Sequence, residues 1–134
     1  MVVGKRLIAE SGIGGTGKSG WYEGFWLNST YEIAYVYYHK KKQIPIERCK
    51  LIFEYVDPKT NKKRKYYPDF IVNNQIIEIK GYNTETVQVK INTCNAKLLC
   101  KNDLKDIFDF VEKDSGLKIE KLYNLYESNN ALLV

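Results

Sequence analysis

Two rhythms of hydrophobic and polar residues run through this chain. Ile33, Val36, Tyr37 and the stem of Lys40 recur at helical spacing, which predicts a helix over about 29–42. Its start carries S-T-Y-E, a capping-box pattern, and its end carries three lysines that complement the helix dipole. From about residue 50 the period shortens to two. A strand is expected over about 50–56, then the turn D-P-K-T-N-K-K and a second strand over about 65–72. Asn73-Asn74 makes a tight turn, and a third strand runs over 75–80 until Gly81 breaks it. A helix over about 84–95 and a short buried strand over 97–100 follow. Leu104, Ile107, Phe108 and Val111 form the stripe of a last helix, capped by Asn102 and stopped by Gly116. Residues 119–126 fit strand or helix, and residues 21–28 an extended or turn segment anchored by Trp21 and Trp26.

This order is helix, three-strand meander, helix, strand, helix. It predicts an α/β fold with a central mixed sheet flanked by helices. The helix between the third and fourth strands makes a right-handed crossover, so those two strands should be parallel. The glycine-rich residues 1–20 are expected to form a flexible basic arm ahead of a single domain over 21–134.

The hairpin turn at Asn73-Asn74 has a chemical consequence. With a two-residue loop, paired positions sum to 147, and Asp69 falls opposite Glu78 on one face of the sheet. Lys80 shares that face by the period of two. Phe70, Val72, Ile77 and Ile79 then line the apolar face, while Asp69, Glu78 and Lys80 stand beside Ile71 and Ile76 on the other. Two opposed carboxylates repel unless a cation lies between them. A hard divalent ion supplies that compensation, and Lys80 beside it can orient or help deprotonate an attacking water. Pro68 cannot donate to a ladder and so marks a point where strands splay. The alternative is a surface hairpin with an ordinary exposed Glu78–Lys80 ion pair.

Charge changes the picture in one respect. The chain has 134 residues and a formal charge of +5, unevenly distributed. Between His39 and Lys65 ten basic residues face three acidic ones, whereas from Asn102 onward four lysines face seven acids. This asymmetry suits a polyanion on one face, although a solvated lysine-rich loop would look the same. Three cysteines and one histidine, without metal-ligand spacing, predict neither a zinc site nor a disulfide framework, and favour a reducing compartment. No apolar run reaches the roughly 18–20 residues needed to span a bilayer. The N-terminus turns charged at Lys5 and Arg6, unlike a signal peptide.

The stretch Y-Y-P-D-F-I-V-N-N-Q-I-I-E-I-K-G-Y (residues 66–82) resembles the core motif of the PD-(D/E)XK, or restriction-endonuclease-like, nuclease superfamily. The flanks, K-S-G-W-Y-E-G-F-W-L-N-S-T-Y-E upstream and L-Y-N-L-Y-E downstream, look similar to its phage-type and homing endonucleases. The resemblance implies a Mg²⁺-dependent DNA endonuclease, with Mn²⁺ able to substitute and no small-molecule cofactor. Asp69 and Glu78 would be metal ligands, the carbonyl of Ile79 a further ligand, and Lys80 the catalytic lysine. Glu32 matches a glutamate that the family often adds from its first helix, but it is also the fourth residue of the capping box. A homing role is expected ahead of restriction or repair. The implied setting is a homodimer on DNA, in the cytoplasm of a bacterial or phage-infected cell or another reducing, DNA-containing compartment. A catalytically inactive DNA-binding protein of the same fold is the alternative.

Phosphate contacts are expected from Lys40, Lys41, Lys42, Lys62, Lys63, Arg64 and Lys65, and from Lys5, Arg6 and Lys18 in the arm. Gln88 and Lys90 are candidates to line the site from the crossover helix, and His39 reads as a surface residue. Residues 12–19, G-I-G-G-T-G-K-S, match a phosphate-binding loop letter for letter. Such a loop must leave a buried strand and enter a helix. Here the preceding stretch is charged and the following G-W-Y-E-G-F-W is a poor helix start, so a P-loop nucleotide-binding protein is the weakest reading.

Overall fold

A computed structural model describes residues 19–127. The arm, with Lys5, Arg6, Lys18 and all but the last residue of the G-x-x-x-x-G-K-S run, lies outside the described residues. The chain forms two compact units, one made of Met1–Tyr38 with Ile107–Val134 and the other of His39–Asp106.

In the first unit, β1 (Gly20–Tyr22) and β2 (Phe25–Leu27) form a hairpin closed by Glu23-Gly24. Both turn residues have positive φ, 50° and 84°, as a two-residue turn matched to strand twist requires. Thus the residues after Ser19 form a hairpin, not the helix that a phosphate-binding loop needs. Trp21 and Trp26 pair across it edge to face, with centroids 5.4 Å apart, and Trp21 is 46% exposed. A Cβ on Gly20 would come within 2.6 Å of the Tyr126 ring, so only glycine allows this approach. Tyr126 also donates its hydroxyl to the Leu27 carbonyl at 3.1 Å.

Helix α1 (Thr30–Lys41) begins where the capping pattern indicates. The Glu32 amide donates to Ser29 Oγ at 3.2 Å, and Glu32 Oε1 accepts the Asn28 amide at 3.1 Å. The return bond therefore reaches one residue further upstream than in a standard capping box. Ile33, Val36 and Tyr37 are buried as their spacing predicts, and Lys40 is exposed. Ala34 and Tyr35 are buried too, so this helix is covered on all sides and shows no single apolar stripe.

The second unit holds the strands that carry the candidate site. Its main sheet has four strands in the order β3 (Glu47–Arg48), β6 (Phe70–Val72), β7 (Gln75–Ile79), β8 (Lys97–Leu99). The β6–β7 register is the expected one: Phe70 faces Ile77, Ile71 faces Ile76 and Val72 faces Gln75. Asn73 and Asn74 take φ of 51° and 62°, the left-handed pair of a type I′ turn, which asparagine tolerates better than most residues. β8 runs parallel to β7, joined through α2 (Glu85–Asn92), as the crossover argument requires. Thr84 caps α2 by accepting the Val87 amide at 3.1 Å, and Val87 and Ile91 bury its inner face.

The expected meander differs in one respect. The strand at 50–56 does not join the main sheet. Instead β4 (Phe53–Val56) pairs with β5 (Lys63–Tyr66) in a separate two-stranded sheet. The edge beside β6 is taken by β3, two residues that sequence periodicity is too coarse to reveal. The reason is Pro68. The expected second strand over 65–72 breaks at Tyr67-Pro68-Asp69, where proline removes a ladder donor, and its two halves enter different sheets.

Two other boundaries move. Helix α3 spans Lys105–Ser115, starting three residues after Asn102, because the Asp103 carboxylate is engaged with the Cys100 amide at 2.8 Å in a preceding turn. Gly116, at φ 77°, ends it as expected. Residues Ile119–Leu125 form a 3₁₀ helix that buries Ile119 and Leu122. Among the described residues, no helix is long and apolar enough to cross a membrane.

Candidate active site

The break at Pro68 sets the geometry of the candidate site. Asp69 sits one residue before β6, where the ladder has ended, and Pro68 beside it is fully buried. Its carbonyl accepts the Cys49 amide at 3.2 Å and Arg48 Nη1 at 3.0 Å, which fix the backbone against β3. Its side chain turns across to β7, where Oδ2 accepts the Ile79 amide at 2.7 Å. Burial raises the Asp69 carboxyl above its ordinary pKa. The Ile79 amide and the charges of Arg48, Lys80 and Lys90 act in the opposite direction.

Glu78 lies on β7, on the face opposite Ile77 and Ile79, yet it is only 4% exposed. This face is therefore not open to solvent, as an ordinary surface hairpin would be. Tyr66, at the end of β5, donates its hydroxyl to Glu78 Oε1 at 2.7 Å. Glu78 Oε2 lies 3.7 Å from Lys80 Nζ, and the lysine side chain is 40% exposed. The lysine thus spans from a buried carboxylate to water. Its backbone amide donates to the Leu99 carbonyl at 3.1 Å, so β8 holds the main chain in place.

Helix α2 contributes Lys90. Its ammonium sits 5.4 Å from the Tyr55 ring centre and 5.9 Å from that of Tyr66, within cation–π range of both. Burial lowers its pKa and Lys80 lowers it further, while Glu78, Asp57 and Asp69 support the charge. Burial and the Glu78 carboxylate both raise the Tyr66 hydroxyl, so it stays a protonated donor. Of the two residues expected from this helix, Lys90 is the one brought in. Gln88 stands about 200° round the helix from it.

Tyr66 and Tyr55 belong to the site but were not legible as members of it. They lie in the β4–β5 sheet, and no strand register connects that sheet to Glu78. Asp69 meets the Ile79 amide and Glu78 meets Lys80 at the end of the hairpin, but the ladder closes at Phe70 and Ile77, one pair short of the expected Asp69–Glu78 pairing. Glu32 belongs to the other unit, where its Oε1 serves the start of α1. Among the described residues, no three His, Cys, Asp or Glu side chains gather as a metal-binding group. The local donor set is the carboxylates of Asp69 and Glu78; the Ile79 carbonyl, expected as a third oxygen, belongs to a residue paired with Leu99 in the β7–β8 ladder. Hard oxygen donors in small number suit Mg²⁺, which keeps several waters and dehydrates reluctantly.

The basic residues divide by register. Tyr55 pairs with Arg64, and Phe53 with Tyr66, so these four share the inner face of the β4–β5 hairpin. Lys63 and Lys65 project from the other face, with Val56 and Glu54, and are exposed. Arg64 Nε donates to Asp57 Oδ2 at 3.0 Å, which ties it to the hairpin tip. Lys40, Lys41 and Lys42 are exposed at the end of α1. His39, expected at the surface, is instead 5% exposed. With Lys40, Ile44, Ile46, Ile71 and Asn73 it lines a cleft of about 520 Å³ at the turn end of the β6–β7 hairpin. That is about 13 Å along the strand from Asp69.

Compared with models of known protein families, with curated proteins and with solved structures, the chain matches none.

Proposed function

We propose that this protein is a Mg²⁺-dependent DNA endonuclease with a restriction-endonuclease-like core. The observation that carries the reading is the pair Asp69 and Glu78 at the splayed end of the β6–β7 hairpin, with Lys80 at 3.7 Å from Glu78. Holding a carboxylate out of water is unfavourable unless cations compensate, and Arg48, Lys80 and Lys90 already act on Asp69 in that sense. A divalent ion held by Asp69, Glu78 and the Ile79 carbonyl would polarise the phosphodiester and the attacking water. Lys80, half in water, orients that water from the solvent side. Lys90 adds positive charge where the phosphate's charge grows, and its contact with two ring faces limits its movement. The exposed Lys63 and Lys65 suit backbone phosphates of a duplex. A homing role is the preferred biological setting. One such site cuts one strand, so a double-strand break requires a dimer or two binding events; a homodimer is the preferred arrangement and would favour a near-palindromic target.

The direct test incubates purified protein with supercoiled plasmid and phage DNA, in Mg²⁺ or EDTA, alongside Asp69→Ala. Mg²⁺-dependent nicks or discrete fragments that disappear in the variant are expected. Cleavage that persists unchanged in Asp69→Ala would end the reading. DNA binding without cleavage or metal uptake would favour a binding protein of this fold.

A further inference from the structure

We infer that the β4–β5 hairpin reads DNA sequence from the major groove, with Glu54, Val56 and Asn61 meeting base edges and Lys63 and Lys65 the flanking phosphates. This rests on the endonuclease reading proposed above and names the element that would choose its target. The hairpin stands apart from the four-stranded sheet as a two-stranded antiparallel ribbon. Its inner face is occupied: Tyr55 and Tyr66 are buried there beside Lys90. Glu54, Val56, Lys63 and Lys65 on its outer face are all exposed, as is every residue from Pro58 to Lys65. Between Phe53 and Tyr66 five basic residues stand against two acids, so a polyanion is the complementary partner.

The outer face is more than a row of cations. Lys63 and Lys65 lie on β5, and directly opposite them β4 carries Val56 and Glu54. Val56 is 47% exposed and gains nothing from phosphates, while the Glu54 carboxylate is repelled by them. The major groove offers partners for all four. Phosphates line its rim, thymine presents a methyl group to an aliphatic side chain, and cytosine presents an amine to a carboxylate. At about 12 Å wide, it admits a two-stranded ribbon. The tip is also fixed in advance. The Asp57 carboxylate accepts the Lys59 amide at 2.9 Å and Arg64 Nε at 3.0 Å, and its main chain bonds to that of Asn61 at 2.7 Å and of Lys62 at 2.8 Å. A loop held in this way loses little freedom on binding. It presents Asn61, exposed and at φ 60°, whose carboxamide has the donor and acceptor that pair with adenine. At the other end of the ribbon Tyr66 bonds Glu78, about 14 Å along the strand from Lys62. Reading and cutting would thus fall on neighbouring parts of one duplex.

Duplexes with a randomised segment are digested by the wild-type chain and by Glu54→Gln, Val56→Ala and Asn61→Gly, and the cut ends are sequenced. Where the chain binds without cutting, retained duplexes are sequenced instead, and circular dichroism checks each fold. Glycine suits position 61 because it keeps the positive φ and removes only the side chain. Wild type should favour particular bases near the cut. Glu54→Gln and Asn61→Gly should each relax that preference roughly tenfold at one or two positions, and Val56→Ala less, while the salt dependence of binding stays as in wild type. A wild-type profile in all three folded variants, as expected if Glu54 only balances the opposed Lys65, overturns the inference. A uniform loss across all sequences does the same. Cleavage by wild type without base preference also overturns it and leaves the nuclease standing. Failure of wild type to bind or cut any duplex overturns both.

Discussion

The second unit contains two antiparallel hairpins that follow one another in the chain and treat charge in opposite ways. The β4–β5 hairpin places Lys63, Arg64 and Lys65 on an exposed strand, and its tip is closed by Asp57. There the Asp57 carboxylate takes the Lys59 amide at 2.9 Å and Arg64 at 3.0 Å, which hold its pKa below the ordinary value. The β6–β7 hairpin places apolar residues on both faces, withdraws Glu78 from water and leaves Asp69 half-buried. A charge left in water costs little and adds little to stability. A charge taken out of water must be compensated by specific partners. Under the proposed function, the lysines of the basic hairpin would hold a polyanion without strict geometry, and the acidic hairpin would carry chemistry that depends on geometry.

That proposed division predicts effects of different size and kind. Lys80→Ala should reduce the cleavage rate by roughly a hundredfold or more while DNA affinity stays close to wild type, as single-turnover kinetics and gel-shift assays would show. A loss of affinity equal to the loss of rate would mean that the lysine binds DNA and takes no part in the chemistry.

Removing Lys63 and Lys65 together should do the reverse. Affinity should fall, and the slope of log affinity against log salt should flatten by about 1.8, with the single-turnover rate unaffected. Arg64→Ala should flatten that slope less, because Arg64 is tied to Asp57. A rate defect in the double lysine variant would show that the two hairpins are not separable in function.

The turn offers a purely structural comparison. Asn74 has φ of 62°, so Asn74→Ala should lower stability by about 1 kcal/mol in denaturant titrations, whereas Asn74→Gly should be close to neutral. Equal effects of the two would mean that the asparagine side chain, not its backbone conformation, matters there.

The smallest effect concerns pH. Burial raises the Asp69 carboxyl in the folded protein, so the fold binds that proton more tightly than the unfolded chain does. Its contribution favours folding in acid and is lost as pH rises through the folded pKa. Without divalent ion, Asp69→Asn should therefore melt at a higher temperature than wild type at neutral pH, and the gain should vanish in acid. A lower melting temperature at neutral pH would show that the surrounding cations more than compensate for burial.

Much of this arrangement was legible in the sequence because it depends on short-range rules. The two-residue turn at Asn73-Asn74 requires the register that sums to 147, and the register brings Asp69, Glu78, Ile79 and Lys80 to one end of a hairpin. The crossover rule requires β8 to be parallel to β7. Ser29 and Gly116 mark helix ends through local backbone chemistry. Tertiary structure alone decided the rest. Pro68 divides one apparent strand between two sheets, and the vacant edge is taken by Glu47 and Arg48, a choice made by partners distant in the chain. The burial of Glu78 follows from Tyr66 lying over it, and the membership of Lys90 from which side of α2 meets two tyrosine rings. Periodicity reports which face of an element a residue is on. What covers that face is settled by packing between elements, and that packing determines whether a carboxylate stays in water or becomes a candidate ligand.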